Sequence, residues 1–176
     1  MRIGLLVAIC LLWFAFPALA QDTPTVDVSG GYSFLRDQDV EENFHGWLAA
    51  VAGNINPWFG IVGEIGGNYK TLQLFASDVS LSVHSFMFGP RISSRQNQSV
   101  TPFFQVLLGA ARASGSVFGQ SESTTEFAIQ PGGGADFWLR PNVGIRVGGD
   151  YRRIVADEGT NEFRFHAGIV LGVGMR

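Results

Sequence analysis

The chain has one cysteine, one lysine and few charges of either sign. Cys10 lies in an apolar N-terminal segment, so the residues after Gln21 can form no disulfide among themselves. Lys70 stands alone beside eleven arginines, and charged residues make up only 15% of the 176. A soluble domain commonly covers its surface with ~25–35% charged residues, so much of this surface must meet something other than water. The net charge of −3 leaves no electrostatic footprint for nucleic acid. After Gln21 no stretch approaches the ~18 continuous apolar residues of a membrane helix, and no 3.6-residue period is sustained. Glycine, at 23 residues, interrupts nearly every segment, which excludes helical spans and helix bundles. His45, His84 and His166 lack companion ligands at metal-binding spacing, so no metal or cofactor is expected.

The N-terminus differs from the rest. Arg2 precedes an apolar run from Ile3 to Phe16 that closes with Ala18-Leu19-Ala20. This predicts a secretory signal peptide over residues 1–20, cleaved at an A-x-A site. Ile9 before Cys10 stands where lipid attachment requires a small residue, which argues against a lipoprotein. Residues 21–176 then form one domain.

What the remainder does have is alternation. From Asn142 to Tyr151 the odd positions are Val143, Ile145, Val147, Gly149 and Tyr151, and the even ones Asn142, Gly144, Arg146, Gly148 and Asp150. From Glu162 to Val173 the odd face carries Phe163, Phe165, Ala167, Ile169, Leu171 and Val173, against Glu162, Arg164, His166 and glycines. A period of two means strands with one apolar and one polar face. With charges and glycines inside and a greasy band outside, such strands suit a barrel in lipid. Eight segments qualify, at about 25–36, 44–55, 58–70, 79–93, 102–114, 123–139, 143–154 and 161–174. Each reaches the ~9–11 residues that cross a bilayer. The predicted fold is all-β, an eight-stranded antiparallel up-and-down transmembrane β-barrel.

The connections support that count. Asn56-Pro57, Ser94 to Thr101, and Arg140-Pro141-Asn142 are turn sequences suited to the periplasmic side. The other four, around Asp37 to Asn43, Thr71 to Asp78, Gly115 to Glu122 and Val155 to Thr160, are more polar and mostly acidic. Aromatics fall near both ends, as interfacial girdles do. Trp58, Phe59, Phe103, Phe104, Phe137 and Trp138 lie at the periplasmic end, and Tyr32, Phe34, Phe44, Trp47, Tyr69, Phe127, Tyr151 and Phe163 at the outer end.

Segments such as His84-Ser85-Phe86-Met87-Phe88-Gly89-Pro90-Arg91, Thr101-Pro102-Phe103-Phe104-Gln105 and Gly132-Gly133-Gly134-Ala135-Asp136-Phe137 resemble strands of the small outer-membrane β-barrel domain family. OmpA-like and OmpX-like eight-stranded barrels are among its members. The resemblance covers residues 21–176 and implies an outer-membrane location, without a catalytic fingerprint. The chain departs from the family by ending Gly174-Met175-Arg176 rather than on an aromatic. Pro131 falls inside the sixth strand and predicts either a bulge at Pro131 to Gly134 or a strand shorter than 123–139. A loss of phase near His84 and Ser85 predicts another in the fourth.

Parity and turn length set the expected register. A three-residue turn over 140–142 places Asp136 opposite Arg146, and avoiding opposed arginines places Asp150 opposite Arg164 and Arg152 opposite Glu162. The expected interior ion-pair network is Glu64, Arg91, Asp136, Arg146, Asp150, Arg152, Glu162 and Arg164, with Glu126 and His166 also inward. It acts as a plug that holds the barrel in register, or as a gate. Arg36, Arg112 and Arg153 sit at outer strand ends and point away from the lumen, where a planar guanidinium suits lipopolysaccharide phosphates. The acidic outer residues Asp37, Asp39, Glu41, Glu42, Asp78, Glu122, Asp157 and Glu158 offer contacts to a cation or a basic protein.

Three rival functions remain. A lipid A deacylase needs a serine activated by a nearby histidine, and on a strand His84 and Ser85 point to opposite faces. A diffusion porin needs a lumen wider than eight strands leave. A soluble lipocalin-like carrier needs apolar residues inward. The expectation is a non-enzymatic, monomeric outer-membrane protein with a structural or surface-interaction role, whose surroundings are outer-membrane lipid and lipopolysaccharide.

Overall fold

The computed structural model describes residues 23–38, 43–74, 77–117, 120–156 and 159–175. The expected signal peptide lies outside them. Eight strands follow in order: β1 (Pro24–Asp37), β2 (Asn43–Asn54), β3 (Phe59–Leu74), β4 (Ser77–Ser93), β5 (Val100–Val117), β6 (Gln120–Arg140), β7 (Val143–Val155) and β8 (Asn161–Met175). Each pairs antiparallel with the next, and β8 returns to β1 to close the barrel.

The stagger can be read from a single row of cross-strand partners. Ile92 leads through Phe104, Gly133, Gly149, Phe165, Phe34, His45 and Tyr69 back to β4 at Ser82, ten residues from its start (92 − 82). Strands staggered in this way tilt by ~35–45° to the barrel axis, and eight of them leave an interior that side chains fill.

Alternation then sorts the side chains. Outward lie Phe86, Phe88, Ile92, Phe104, Ile145, Phe165, Ile169 and Val173, all exposed, with Phe88 at 65% and Phe165 at 60%. So many large apolar groups facing outward are stable in lipid and costly in water. Inward, β2 to β6 contribute an apolar cluster of Ala50, Ala52, Val62, Met87, Leu107, Ala111 and Ala128. A second cluster, Leu35, Phe44 and Val83 with Leu81 against it, lies toward the outer end.

Several details differ from expectation. No bulge forms at Pro131 to Gly134: β6 keeps one register with β5 through Gln130, Pro131 and Gly132. On the β7 side the partnering lapses at Gln130 and Pro131 and resumes in the same register, so the missing N–H costs a local gap and no slip. The register shift falls instead between Trp138 and Arg140, beside the β6–β7 turn. No bulge forms near His84 either, since β4 holds one register with β3 throughout. There the polarity departs from alternation and the geometry does not: Val83, Ser85 and Met87 are buried inside, with His84 on the outer face. The outer connections expected at 71–78 and 115–122 are mostly strand, and β3–β4 and β5–β6 continue as long hairpins beyond the ends of β2 and β7. Three aromatics placed in the girdles by height point inward: Phe44 and Phe103 are buried, and Trp138 donates from Nε1 to Thr101 Oγ1 at 3.0 Å.

Candidate functional site

The lumen is built from the inward positions of all eight strands and is polar along one wall. At the periplasmic mouth Asp27 of β1 accepts from Asn54 Nδ2 at 2.9 Å and from Arg95 Nη2 at 3.1 Å. Arg95 belongs to the β4–β5 connection, so this turn reaches beneath the barrel to the opposite strand. Its unusual length in the sequence thus has a structural use, although Asp27 and Arg95 carried no signal that would pair them.

Above it, Arg146 of β7 grips Asp136 of β6 with two parallel bonds, Nε to Oδ1 at 2.6 Å and Nη2 to Oδ2 at 2.8 Å. Its remaining Nη1 donates to Ser29 Oγ at 3.0 Å. Arg91, expected among the ion pairs, instead donates from Nε and Nη2 to Gln105 Oε1, its cross-strand partner, at 3.1 and 2.8 Å. Its guanidinium carbon also lies 4.5 Å from the centre of Phe103, and that of Arg146 lies 4.9 Å from the same ring. The inward Phe103 thereby holds both cations over its π face, a role the girdle assignment concealed.

Midway up, Arg164 Nη2 contacts Glu64 Oε1 at 2.6 Å and Asp150 Oδ2 at 2.7 Å, and its Nε reaches Asp150 at 3.1 Å. Gln130 Nε2 donates to Glu64 Oε1 at 3.0 Å, and Arg152 Nε donates to Gln130 Oε1 at 2.9 Å. Arg152 also pairs with Glu162 at 3.1 Å and donates to Ser85 Oγ at 3.2 Å. One connected set of polar side chains therefore joins β3, β4, β6, β7 and β8 across the lumen. Arg152 and Arg164 are each 1% exposed. Charges buried so deeply persist only when paired and hydrogen-bonded, and taking one partner away is far costlier than never having had the pair. His166 Nε2 stands 3.5 Å from Asp150 Oδ2, and Glu126 is half-buried farther out on the same inward face.

Interior glycines make this packing feasible. A Cβ at Gly132 would fall on Asp150 Oδ1, one at Gly148 would lie 2.6 Å from His166 Nε2, and one at Gly66 would lie 3.2 Å from Ser85 Oγ. Each polar tip is seated where a neighbouring strand has no side chain. Ser29, Ser85, Gln105 and Gln130, which complete the hydrogen bonding, went unnoticed in the sequence because only charged residues were followed along the inward face.

His84 and Ser85 face opposite sides of the wall: Ser85 accepts from Arg152 inside, and His84 Nε2 meets Tyr69 OH at 3.1 Å outside. Among the described residues no group of His, Cys, Asp and Glu could hold a metal. At the outer rim, Arg36, Arg112 and Arg153 are exposed and outward. Arg112 donates to Ser123 Oγ at 2.9 Å and Arg153 to Asn161 Oδ1 at 3.2 Å. Arg36 and Arg153 lie on either side of β8, and Arg112 lies on β5, so the three form no single cluster. Of the acidic outer residues, Asp39, Glu41, Glu42, Asp157 and Glu158 lie outside the described residues, as does the side chain of Asp78.

A closed barrel of eight strands with an apolar exterior and a charged, packed interior is an integral outer-membrane barrel. The sequence model of the outer membrane protein beta-barrel domain matches residues 6–176, and the chain belongs to that family. Its structure is similar to that of Ail, the attachment invasion locus protein of Yersinia pestis, in complex with the heparin analogue sucrose octasulfate. The two are 20% identical over 86% of this chain and 100% of that one, with a TM-score of 0.58. It is also similar to neisserial surface protein A (15% identity, 84% and 95% covered, TM-score 0.67) and to OprG of Pseudomonas aeruginosa (8%, 86% and 97%, TM-score 0.54). No curated protein matches the chain significantly. The cell outer membrane is its location.

Proposed function

We propose that this protein is a non-enzymatic, non-conducting anchor that acts through its outer surface. The observation that carries this reading is the packed lumen, in which a connected polar network spans the cross-section between the Asp27–Arg95 pair and the apolar cluster of Leu35, Phe44 and Val83. In this reading the interior holds the strands in register, which is supported by the narrow lumen that eight strands leave for side chains to fill. What remains for recognition is the part that rises above the membrane. Residues 70–74 of β3 and 120–126 of β6 extend past the last β2 and β7 partners, so β3 to β6 present a four-stranded sheet at the cell surface. The acidic residues of the β1–β2 and β7–β8 connections, with Asp78 and Glu122 on the extended hairpins, suit a cation or a basic protein. Arg36, Arg112 and Arg153 beneath the sheet suit lipopolysaccharide phosphates, a reading in keeping with the polyanionic sugar held by Ail. The barrel needs no second copy to close, and we propose that it acts as a monomer.

The test is reconstitution into vesicles whose outer leaflet carries lipopolysaccharide. Lipid A should keep all its acyl chains under mass spectrometry, and the protein should co-purify with lipopolysaccharide unless Arg36, Arg112 and Arg153 are all changed to Ala. Loss of an acyl chain would install the deacylase alternative in its place, and equal retention by the triple variant would remove the phosphate contacts.

A further inference from the structure

The sheet that rises above the membrane has an open side that the fold does not use. β6 stays paired with β5 from Phe137 out to Gln120, while its partnering with β7 stops at the Phe127–Val155 pair. Beyond that pair the chain turns back toward β8, with Ile154 N donating to Thr160 O at 2.9 Å. Among the described residues no strand therefore covers the β7 side of Glu122 to Glu126. In an antiparallel ladder every second residue turns its N–H and C=O away from the neighbour it already has, so this stretch offers unpaired backbone groups to water. Phe127, at its foot, is 51% exposed. As an interfacial aromatic it marks the level at which the strand leaves the hydrocarbon.

Native sheets commonly guard such an edge with a proline, a lysine, a bulge or a covering loop. From Gln120 to Phe127 there is no proline, no lysine and no register shift. What this edge has is charge of one sign on one face. Alternation puts Glu122, Thr124 and Glu126 on the face that continues the lumen, and Ser123 and Thr125 on the face that continues the outer wall. The β5 partners of Glu122, Thr124 and Glu126 are Gly115, Ala113 and Ala111, none of which has a side-chain donor. Neither glutamate forms an ion pair among the described residues. The nearby cation, Arg112, stays on the other face, where it donates to Ser123 Oγ at 2.9 Å. Glu122 is exposed and Glu126 half-buried, and four residues of strand set them ~13 Å apart. The opposite open edge, on β3, differs in sign, since it begins with Lys70.

Two unpaired carboxylates on one face of an open edge repel an acidic strand and attract a basic one. We infer that β6 from Glu122 to Glu126 takes up an extended segment of a basic protein as a fifth strand of the surface sheet, with Lys or Arg four residues apart opposite the two glutamates. This rests on the outer-surface reading above and narrows its basic partner to a strand. Pairing through the backbone supplies affinity, and the alternate side chains supply the choice of partner. The small neighbours Gly115, Ala113 and Ala111 leave the incoming basic side chains free to reach the carboxylates.

The experiment titrates the detergent-refolded full domain with a capped peptide, Thr-Lys-Thr-Ser-Thr-Lys-Thr, and follows binding by fluorescence anisotropy and amide exchange by NMR. The wild-type protein should bind it, and alternate amides between Glu122 and Glu126 should exchange more slowly. Glu122→Gln with Glu126→Gln should bind about tenfold more weakly, as expected for the loss of two cross-strand charge pairs. An isomeric peptide with its lysines three residues apart presents them on opposite faces and should weaken similarly. A peptide N-methylated at every internal amide keeps the charges, cannot pair as a strand and should not bind. Heat-shifted gel mobility verifies that the variant folds. Equal binding of the methylated peptide overturns strand addition, and unchanged binding by the folded double variant, or protection at Lys70 to Leu74 instead, overturns the β6 edge. Those outcomes leave the acidic outer surface as the contact for a basic protein. A wild-type protein that binds none of the peptides overturns the strand and the basic partner together.

Discussion

Arg146 illustrates how much of the interior depends on single side chains. It holds both oxygens of Asp136, donates to Ser29 and lies over Phe103, so each of its three nitrogens has an acceptor. Arg146→Ala leaves Asp136 as an uncompensated charge that is 2% exposed. The expected cost is about 3–5 kcal/mol, seen as a lower urea midpoint in detergent. Replacing both residues together, Asp136→Leu with Arg146→Met, should recover most of that loss, because the penalty comes from the orphaned charge rather than from the absence of a pair. A double variant as unstable as the single one would show that Ser29 and Phe103, not Asp136, are what Arg146 stabilises. Residues at this scale were legible where charge and parity coincided: alternation set the positions of Asp136, Arg146, Asp150, Arg152, Glu162 and Arg164, although the expected three-residue turn is a two-residue turn, Pro141-Asn142, with a register shift between Trp138 and Arg140 that restores the same pairing. Arg91 was not, because a neutral acceptor, Gln105, occupies the cross-strand position where a carboxylate was sought.

Strands were more legible than their ends. Alternation in β7 and β8 was almost free of exceptions, and their bounds in the structure lie within a residue or so of those read from the sequence. β4 and β6 were harder. An inward Met87 beside an outward His84 breaks the polarity rule without bending the backbone, and a proline in a closed sheet loses a hydrogen bond without changing register. Polarity reports environment, and this environment is mixed: from β2 to β6 an apolar cluster shares the interior wall with Glu64, Ser85, Arg91 and Gln105, and from β6 to β8 the wall is charged. The outer parts of β3 to β6 were read as loops because they are more polar and carry Asp78 and Glu122, although the strand pairing continues there. Those extensions lie beyond the lipid-facing rows, so the barrel should not need them. Replacing Gln73–Asp78 by Asn-Gly, a favoured two-residue hairpin turn between the cross-strand partners Leu72 and Val79, should leave the heat-shifted mobility unchanged. A trimmed protein that runs at its boiled position without heating would mean that the hairpin is part of the folding unit and not an appended surface.

Closure of the whole molecule rests on barriers in series rather than on one plug. The β4–β5 turn carries Arg95 to Asp27 at the periplasmic mouth, the network from Asp150 to Glu162 crosses the middle, and Leu35, Phe44 and Val83 pack farther out. The two ends differ in kind, one charged, the other apolar, so a change that loosens one has no reason to loosen the other. The wild-type protein in a planar bilayer should therefore show little or no conductance. Arg95→Ala is the sharper test, since it withdraws the turn from Asp27 while Asn54 still donates to that carboxylate. If closure is distributed, this variant should remain as silent as the wild type, because an ion entering from the periplasm still meets Arg146 paired to Asp136 and then Arg164 bridging Asp150 and Glu64. Conducting steps in Arg95→Ala would make the turn the sole barrier, and the polar network would then be a lining through which ions move rather than the packing that keeps them out.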